Sequence, residues 1–232
     1  MEMKNKALIL LLLCSGISET VWSNAATADP VEDLFTQIYK TKFWQLGESV
    51  SGPGSELKVT HKMRRELSAL LKRFNIDSIA DAPCGDYNWM RHVDIGNCRY
   101  IGLDIVEELI ERNTLLFGAA AREFKHANLI DNVIDKADLI ICRDMLAHLT
   151  DEQIFKTLAN FKASGSKYLL ATTNYAVQSN TQIDRAGDWR KLNLEAAPFY
   201  FPRPLAIIEE DVPFTWEQGK HLALWFLDDI NV

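Results

Sequence analysis

The chain is short of basic charge, of glycine where a phosphate cradle needs it, of long apolar runs and of paired cysteine. Lys and Arg number 25 against 32 Asp and Glu, for a net charge of -7. A protein that tracks nucleic-acid phosphates is ordinarily basic, so DNA and RNA are poor partners for this surface. The longest apolar run, residues 7–14, is too short to cross a bilayer as a stable helix. Of the four cysteines, Cys84, Cys98 and Cys142 lie beyond that run, an odd number that argues against a disulfide framework. No internal repeat or low-complexity tract interrupts the sequence, and 232 residues suffice for one domain with a real core.

The first 28 residues read as a secretory leader: Lys4 and Lys6, the apolar run, a polar stretch, then Ser23-Asn24-Ala25 and Ala26-Thr27-Ala28 as small-x-small cleavage candidates. The expected product is secreted or periplasmic, without a stable membrane span after leader removal, and cytoplasmic if the segment is no working leader. A helix signal follows. Asp29 can cap, Pro30 suits the first position, Glu32 sits three residues after Asp29, and Val31, Leu34, Phe35 and Ile38 recur at helical spacing. Ser51-Gly52-Pro53-Gly54-Ser55 suits a linker by composition and equally suits a lid over a ligand. Thr60 can cap a second helix carrying Met63, Leu67, Leu70, Leu71 and Phe74 on one face.

Strands then alternate with helices. Strands are expected over 78–82, 99–104, weakly over 123–127, and over 137–142 and 167–172. Helices are expected from near Asn88, over 106–117, and from Thr150, where Gln153 completes a capping box. Such alternation implies a mostly parallel, doubly wound (Rossmann-like) sheet with right-handed crossovers. Two late strands, 204–210 and 221–227, have no crossover helix between them and should form an antiparallel hairpin at the sheet edge. Residues 29–75 would form a helical cover on a domain spanning 29–232.

The chemistry concentrates at two strand ends. Residues 78–89 read Ser-Ile-Ala-Asp81-Ala-Pro83-Cys84-Gly85-Asp86-Tyr-Asn88-Trp89, and Tyr100-Ile-Gly-Leu-Asp104 closes the next strand about twenty residues on, the spacing at which an acid meets ribose hydroxyls. Two consecutive strands that each end in an acid suggest a nucleoside-containing cofactor. A dinucleotide pyrophosphate needs several glycines at the first turn; here Pro83 and Tyr87 flank a lone Gly85. S-adenosylmethionine has no phosphate. Asp81 can sit under its positive head group, Gly85 permits close approach, and Asp104 can accept from both ribose hydroxyls.

The first motif resembles that of class I S-adenosylmethionine-dependent methyltransferases, and more narrowly a bacterial subfamily with Asp-x-Pro-Cys-Gly-Asp. The resemblance continues in Ser49 to Ser55, in Tyr100 to Ile105, in Asp138-Leu-Ile-Ile-Cys-Arg143-Asp144-Met-Leu-Ala-His148-Leu149, in Ser164 to Leu170, in Gly187-Asp188-Trp189-Arg190 and in Leu192-Asn193-Leu194. It implies a seven-stranded sheet that binds S-adenosyl-L-methionine through Asp81, Pro83, Cys84, Gly85, Asn88, Trp89, Asp104, Ile105, Asn128, Leu129 and Arg143, with no metal. Cys84 and Cys142, near adjacent strand ends, read as small apolar site residues. Asn128 stands where an Asp commonly faces adenine, and its carbonyl can accept the same hydrogen bond. Asp144 and His148, four apart, can share a helical face; His148 is the candidate base and Asp144 its partner. A packing role for His148, and capping roles for Asn88 and Trp89, fit the sequence as well. Methyl transfer to a small-molecule or glycan-like acceptor is expected, with Trp44, Tyr175 and Trp189 available to stack on it. An exported non-catalytic binding protein of the same fold, or a secreted effector, is the alternative.

Overall fold

The computed structural model describes residues 29–232, and the expected leader lies outside them. Residues Val31–Val232 form one unit. Its helices are α1 (Pro30–Lys40), α2 (His61–Arg73), α3 (Glu107–Phe117) and α4 (Asp151–Ala163). Its strands are β1 (Ser78–Asp81), β2 (Arg99–Asp104), β3 (Arg122–His126), β4 (Leu139–Cys142), β5 (Tyr168–Asn174), β6 (Ala206–Glu209) and β7 (Lys220–Phe226). The sheet order is β3-β2-β1-β4-β5-β7-β6. β1 to β5 pair in parallel, while β7 runs antiparallel to β5 and carries β6 on the edge, as the late apolar segments predict.

β4, Leu-Ile-Ile-Cys, is buried at every position, the pattern of a parallel strand covered on both faces. Successive side chains leave opposite faces. Ile79, Leu139, Ile141 and Leu170 join Met63 and Leu67 of α2 and Ile110 of α3 in one core. Ala80, Ile140, Cys142 and Leu169 join Ile154, Leu158 and Phe161 of α4 in the other, against which Val31 and Phe35 of α1 pack. The capping box at Thr150 is formed, Thr150 Oγ1 accepting from Gln153 N and Gln153 Oε1 from Thr150 N.

Three local expectations are corrected. No α-helix opens at Asn88: Tyr87 takes φ 57° and a single 3₁₀ turn, Met90–His92, connects onward. The Asn88 amide is drawn instead to Glu48 Oε1 and to the Ser55 carbonyl. Thr60 precedes α2 but donates to the Glu56 carbonyl, so its hydroxyl does not cap. Asp144 and His148 share no α-helical face, because Asp144 takes φ 61° and Leu146–His148 is again one 3₁₀ turn ahead of α4.

The candidate functional site at the carboxyl ends of the strands

The chain order runs outward from β1 to β3 and then returns to place β4 on the other side of β1. In open α/β sheets that reversal marks the crevice where ligands bind, beyond the carboxyl ends of the strands. Asp81 and Asp104 end the two strands on one side of it, and Arg143-Asp144 follows the strand on the other.

Asp81 is buried, and its Oδ2 accepts from the Tyr100 hydroxyl at 2.6 Å. Its Oδ1 is buried without a hydrogen-bond partner. Burial pushes its pKa up to about 7; the Tyr100 hydrogen bond opposes this and the Asp104 charge adds to it. Asp104 accepts from Gly85 N and Val106 N, each at 3.0 Å, and burial raises it to about 6 against those amide bonds. The two acids are therefore electrostatic neighbours, and the Gly85 amide, at φ 53°, is clasped by the second of them. Pro83 is half-buried in the turn. Cys84 and Cys142 are buried free thiols, the first near the Asn113 amide. Trp89 is buried with the Arg143 guanidinium 5.6 Å from its ring centre. Ile105 offers its carbonyl to His126 Nε2 at 2.9 Å. Asn128 turns its Oδ1 to Ile130 N and its Nδ2 to Asp131, and Leu129 is core.

Across the crevice the charges are matched by the protein itself. Arg143 donates through Nε and Nη2 to the Glu210 carboxylate at 3.2 and 2.5 Å, and through Nη2 to the Gly54 carbonyl at 2.9 Å. Lys220 Nζ lies 2.5 Å from Asp144 Oδ2, 3.2 Å from Glu217 Oε2 and 3.9 Å from Glu210 Oε2. Against the cost of burial, Lys220 and Arg143 hold the Asp144 carboxyl well below its usual range. Glu210, Glu217 and Lys220 carried no signal in the sequence motifs. The one hint was a lysine heading a mostly apolar strand, Lys-His-Leu-Ala-Leu-Trp-Phe. A small cavity of about 20 Å³ opens here between Asp144, Thr172, Asn174, Trp189, Glu217 and Lys220 among others.

His148 is half-buried, and its ring lies 4.8 Å from that of Trp44. Its Nδ1 is 3.1 Å from the Asp188 carbonyl, an acceptor, which assigns the proton to Nδ1 and leaves Nε2 as the basic nitrogen. Burial lowers its pKa below the ordinary 6.5 while Asp144 opposes the shift, so the ring is neutral at neutral pH. Arg190 is tied to Asp151, Leu149 O and Thr181 O, and Tyr175 packs on His221. Of the aromatics expected to meet an acceptor, Trp189 is the exposed one, at 42%.

Residues 49–55 lie across the crevice. Ser49 Oγ and Val50 N donate to Asp86 Oδ2 at 2.8 and 2.9 Å, and Ser51 Oγ donates to Asp86 Oδ1 at 3.3 Å while accepting from Asp86 N at 3.0 Å. A Cβ at Gly85 would collide with Ser51 Oγ. This serine- and glycine-rich stretch thus bridges the first-motif turn at Asp86 and Arg143 beyond β4.

No family model matches the sequence, and no curated protein matches it. Solved structures of similar fold are methyltransferases. One is the 1,6-didemethyltoxoflavin-N1-methyltransferase of Burkholderia thailandensis, with bound 1,6-didemethyltoxoflavin and S-adenosylhomocysteine (TM-score 0.58, 14% identity, 88% of this chain and 92% of that one). Another is the magnesium protoporphyrin IX methyltransferase of Synechocystis PCC 6803 with bound S-adenosylmethionine (TM-score 0.55, 13% identity, 87% and 99%). A third is human N-acetylserotonin methyltransferase in complex with S-adenosylmethionine (TM-score 0.56, 15% identity), where 84% of this chain spans 59% of the other. This chain shares the Rossmann-like fold of S-adenosylmethionine-dependent methyltransferases.

Proposed function

We propose that the protein transfers a methyl group from S-adenosyl-L-methionine to a small or glycan-like acceptor. The observation that carries this reading is the pair of acids at the tips of β1 and β2, one clasping the Gly85 amide and the other keeping a buried carboxylate oxygen without a partner. A buried orphan acceptor is costly; a ligand's cationic head group supplies what Asp81 lacks, and Asp104, whose oxygens each accept one amide, keeps lone pairs for vicinal hydroxyls. These residues fit the donor: Asp104 would hold the ribose hydroxyls, Asp81 would lie beneath the head group, and Asn128 and Leu129 would border the adenine. When bound, the donor supplies a methyl group activated by its sulfonium.

The remaining chemistry belongs to the chain. Alignment of donor and acceptor supplies much of the rate in a displacement, and the cover of residues 49–55 would exclude water from it. His148, neutral and with Nδ1–H given to the Asp188 carbonyl, presents Nε2 to take the proton of an acceptor hydroxyl or amine. Asp144, kept ionised by Lys220 and Arg143, favours the imidazolium that results. The Asp144, Thr172, Asn174 and Lys220 side chains at the small cavity and the exposed Trp189 ring suit a hydroxylated acceptor that stacks and hydrogen-bonds.

The test is calorimetry of the full chain with S-adenosylmethionine and S-adenosylhomocysteine. Binding is expected for wild type and its loss for Asp104→Ala with the fold retained by circular dichroism. Equal affinity in the variant overturns the assignment. Release of S-adenosylhomocysteine in an acceptor-containing extract, abolished in His148→Ala, separates an enzyme from a binding protein of the same fold.

A further inference from the structure

The segment over the crevice is fastened at both ends to the first-motif turn, and near its far end also to Arg143. At its start, Asp86 of the first-motif turn receives Ser49 Oγ, Val50 N and Ser51 Oγ, and its own amide donates to Ser51 Oγ. Near its end, the Gly54 carbonyl accepts from Arg143 and the Ser55 carbonyl from Asn88 of the first-motif turn. A Cβ built on Gly54 would come within 3.6 Å of Asp144 Oδ2 and 3.5 Å of Lys220 Nζ, so this glycine rides directly on the buried charge cluster. Ser51 Oγ fills the space beside Gly85, the space that makes that glycine useful for close approach by a ligand.

We propose that residues 49–55 are a latch, closed on Asp86 and Arg143, that must open to admit and release the methyl donor. This inference rests on the reading of the crevice as the donor site. The fastenings at the Asp86 end have the right strength for such a role. Hydrogen bonds to an ionised carboxylate are stronger than neutral ones, yet each is a small fraction of the stability of a domain. The latch can therefore open locally without unfolding the sheet beneath it. Because the same seven residues touch both the first-motif turn and the cluster around Asp144, donor exchange and the acceptor side share one moving part.

Stopped-flow fluorescence reports on this through Trp44 and Trp89, which lie at the segment and beneath the turn. S-adenosylhomocysteine would be mixed with wild type, Ser51→Ala and Asp86→Asn. The latch predicts that association and dissociation rate constants rise together, by about tenfold for loss of one charge-assisted hydrogen bond, while Kd changes less than either rate. Wild-type rates in variants that bind, or a rise in dissociation alone, overturn the latch and leave the donor site standing. Failure of wild type to bind at all overturns the donor reading and the latch with it. Asp86 also accepts from Asn88 N within the turn, so Asp86→Asn can disturb the turn itself. Ser51→Ala leaves that bond in place, and hydrogen exchange over residues 49–55, faster in this variant while β1 and β4 stay protected, is the matching structural readout.

Discussion

The two halves of the crevice handle their acids in opposite ways. On the β1–β2 side, Asp81 and Asp104 are held by a phenol and by backbone amides, and burial lifts their pKa values to about 7 and about 6. On the β4–β7 side, Asp144 and Glu210 are matched by Lys220 and Arg143, and Asp144 is driven down instead. One half leaves a buried carboxylate oxygen, Asp81 Oδ1, without a hydrogen-bond partner, whereas the other matches its acids with cations of the chain. The lesson is that depth and the partner supplied together set the state of a carboxylate: the deeper pair meets only a phenol and amides, the half-buried Asp144 two cations.

The largest effect should come from breaking the assembled half. Glu210→Ala leaves Arg143 buried without its main partner, which costs about 3–5 kcal/mol, and urea denaturation should show it as a lowered midpoint. A midpoint within error of wild type would mean the pair is idle. The next test uses pH. Asp81 and Asp104 have folded-state pKa values raised above the ordinary 3.8. Their contribution to stability is full below that value and is lost as pH rises towards about 7, because the folded form holds the protons longer. Asp144 has the opposite sign: its contribution is present above 3.8 and is lost as pH falls. Urea midpoints of Asp81→Asn followed between about pH 4 and pH 8 should show a flatter decline than wild type; an unchanged slope would remove Asp81 from the account.

Asp104→Asn keeps the shape of the side chain and removes its charge. Affinity for S-adenosylmethionine should fall on the order of 10- to 100-fold, the worth of hydrogen bonds to a charged group, measured by calorimetry. The smallest effect should come from Thr172→Val. The Thr172 hydroxyl accepts from Asp144 N at 2.9 Å and donates to Asp144 Oδ1 at 3.3 Å, so about 1 kcal/mol of stability should be lost with Lys220 still anchoring the carboxylate. A much larger loss would show that Thr172, rather than Lys220, sets the position of Asp144.

Most of the sheet was legible because its signals are local. β2 has the bounds expected of it, the Thr150 capping box needs only residues three apart, and the late apolar segments lack room for a helix between them. The failures lie where a distant segment outbids the local preference. Asn88 looks like a helix opener but spends its amide on Glu48 and Ser55. Asp144 and His148 have helical spacing but are set by Lys220 and by Asp188, whose positions no short window contains. The two tip acids were visible because strand-end acids follow a repeated pattern. The Arg143–Glu210 pair was invisible because 67 residues separate its members and nothing near either one announces the other. The resemblance in motifs led to the fold, which the solved methyltransferases share.

The reversed direction of β7 has a consequence of its own. A parallel strand delivers its last residue to the crevice, but an antiparallel neighbour delivers its first, and here that residue is Lys220. The connection that leads into β7 therefore ends beside the small cavity next to Asp144, where its Glu217 already stands. Lengthening or rewriting that connection would reshape this end of the crevice while every strand of the sheet kept its register, which, on the proposed function, makes it the natural place to retune acceptor choice.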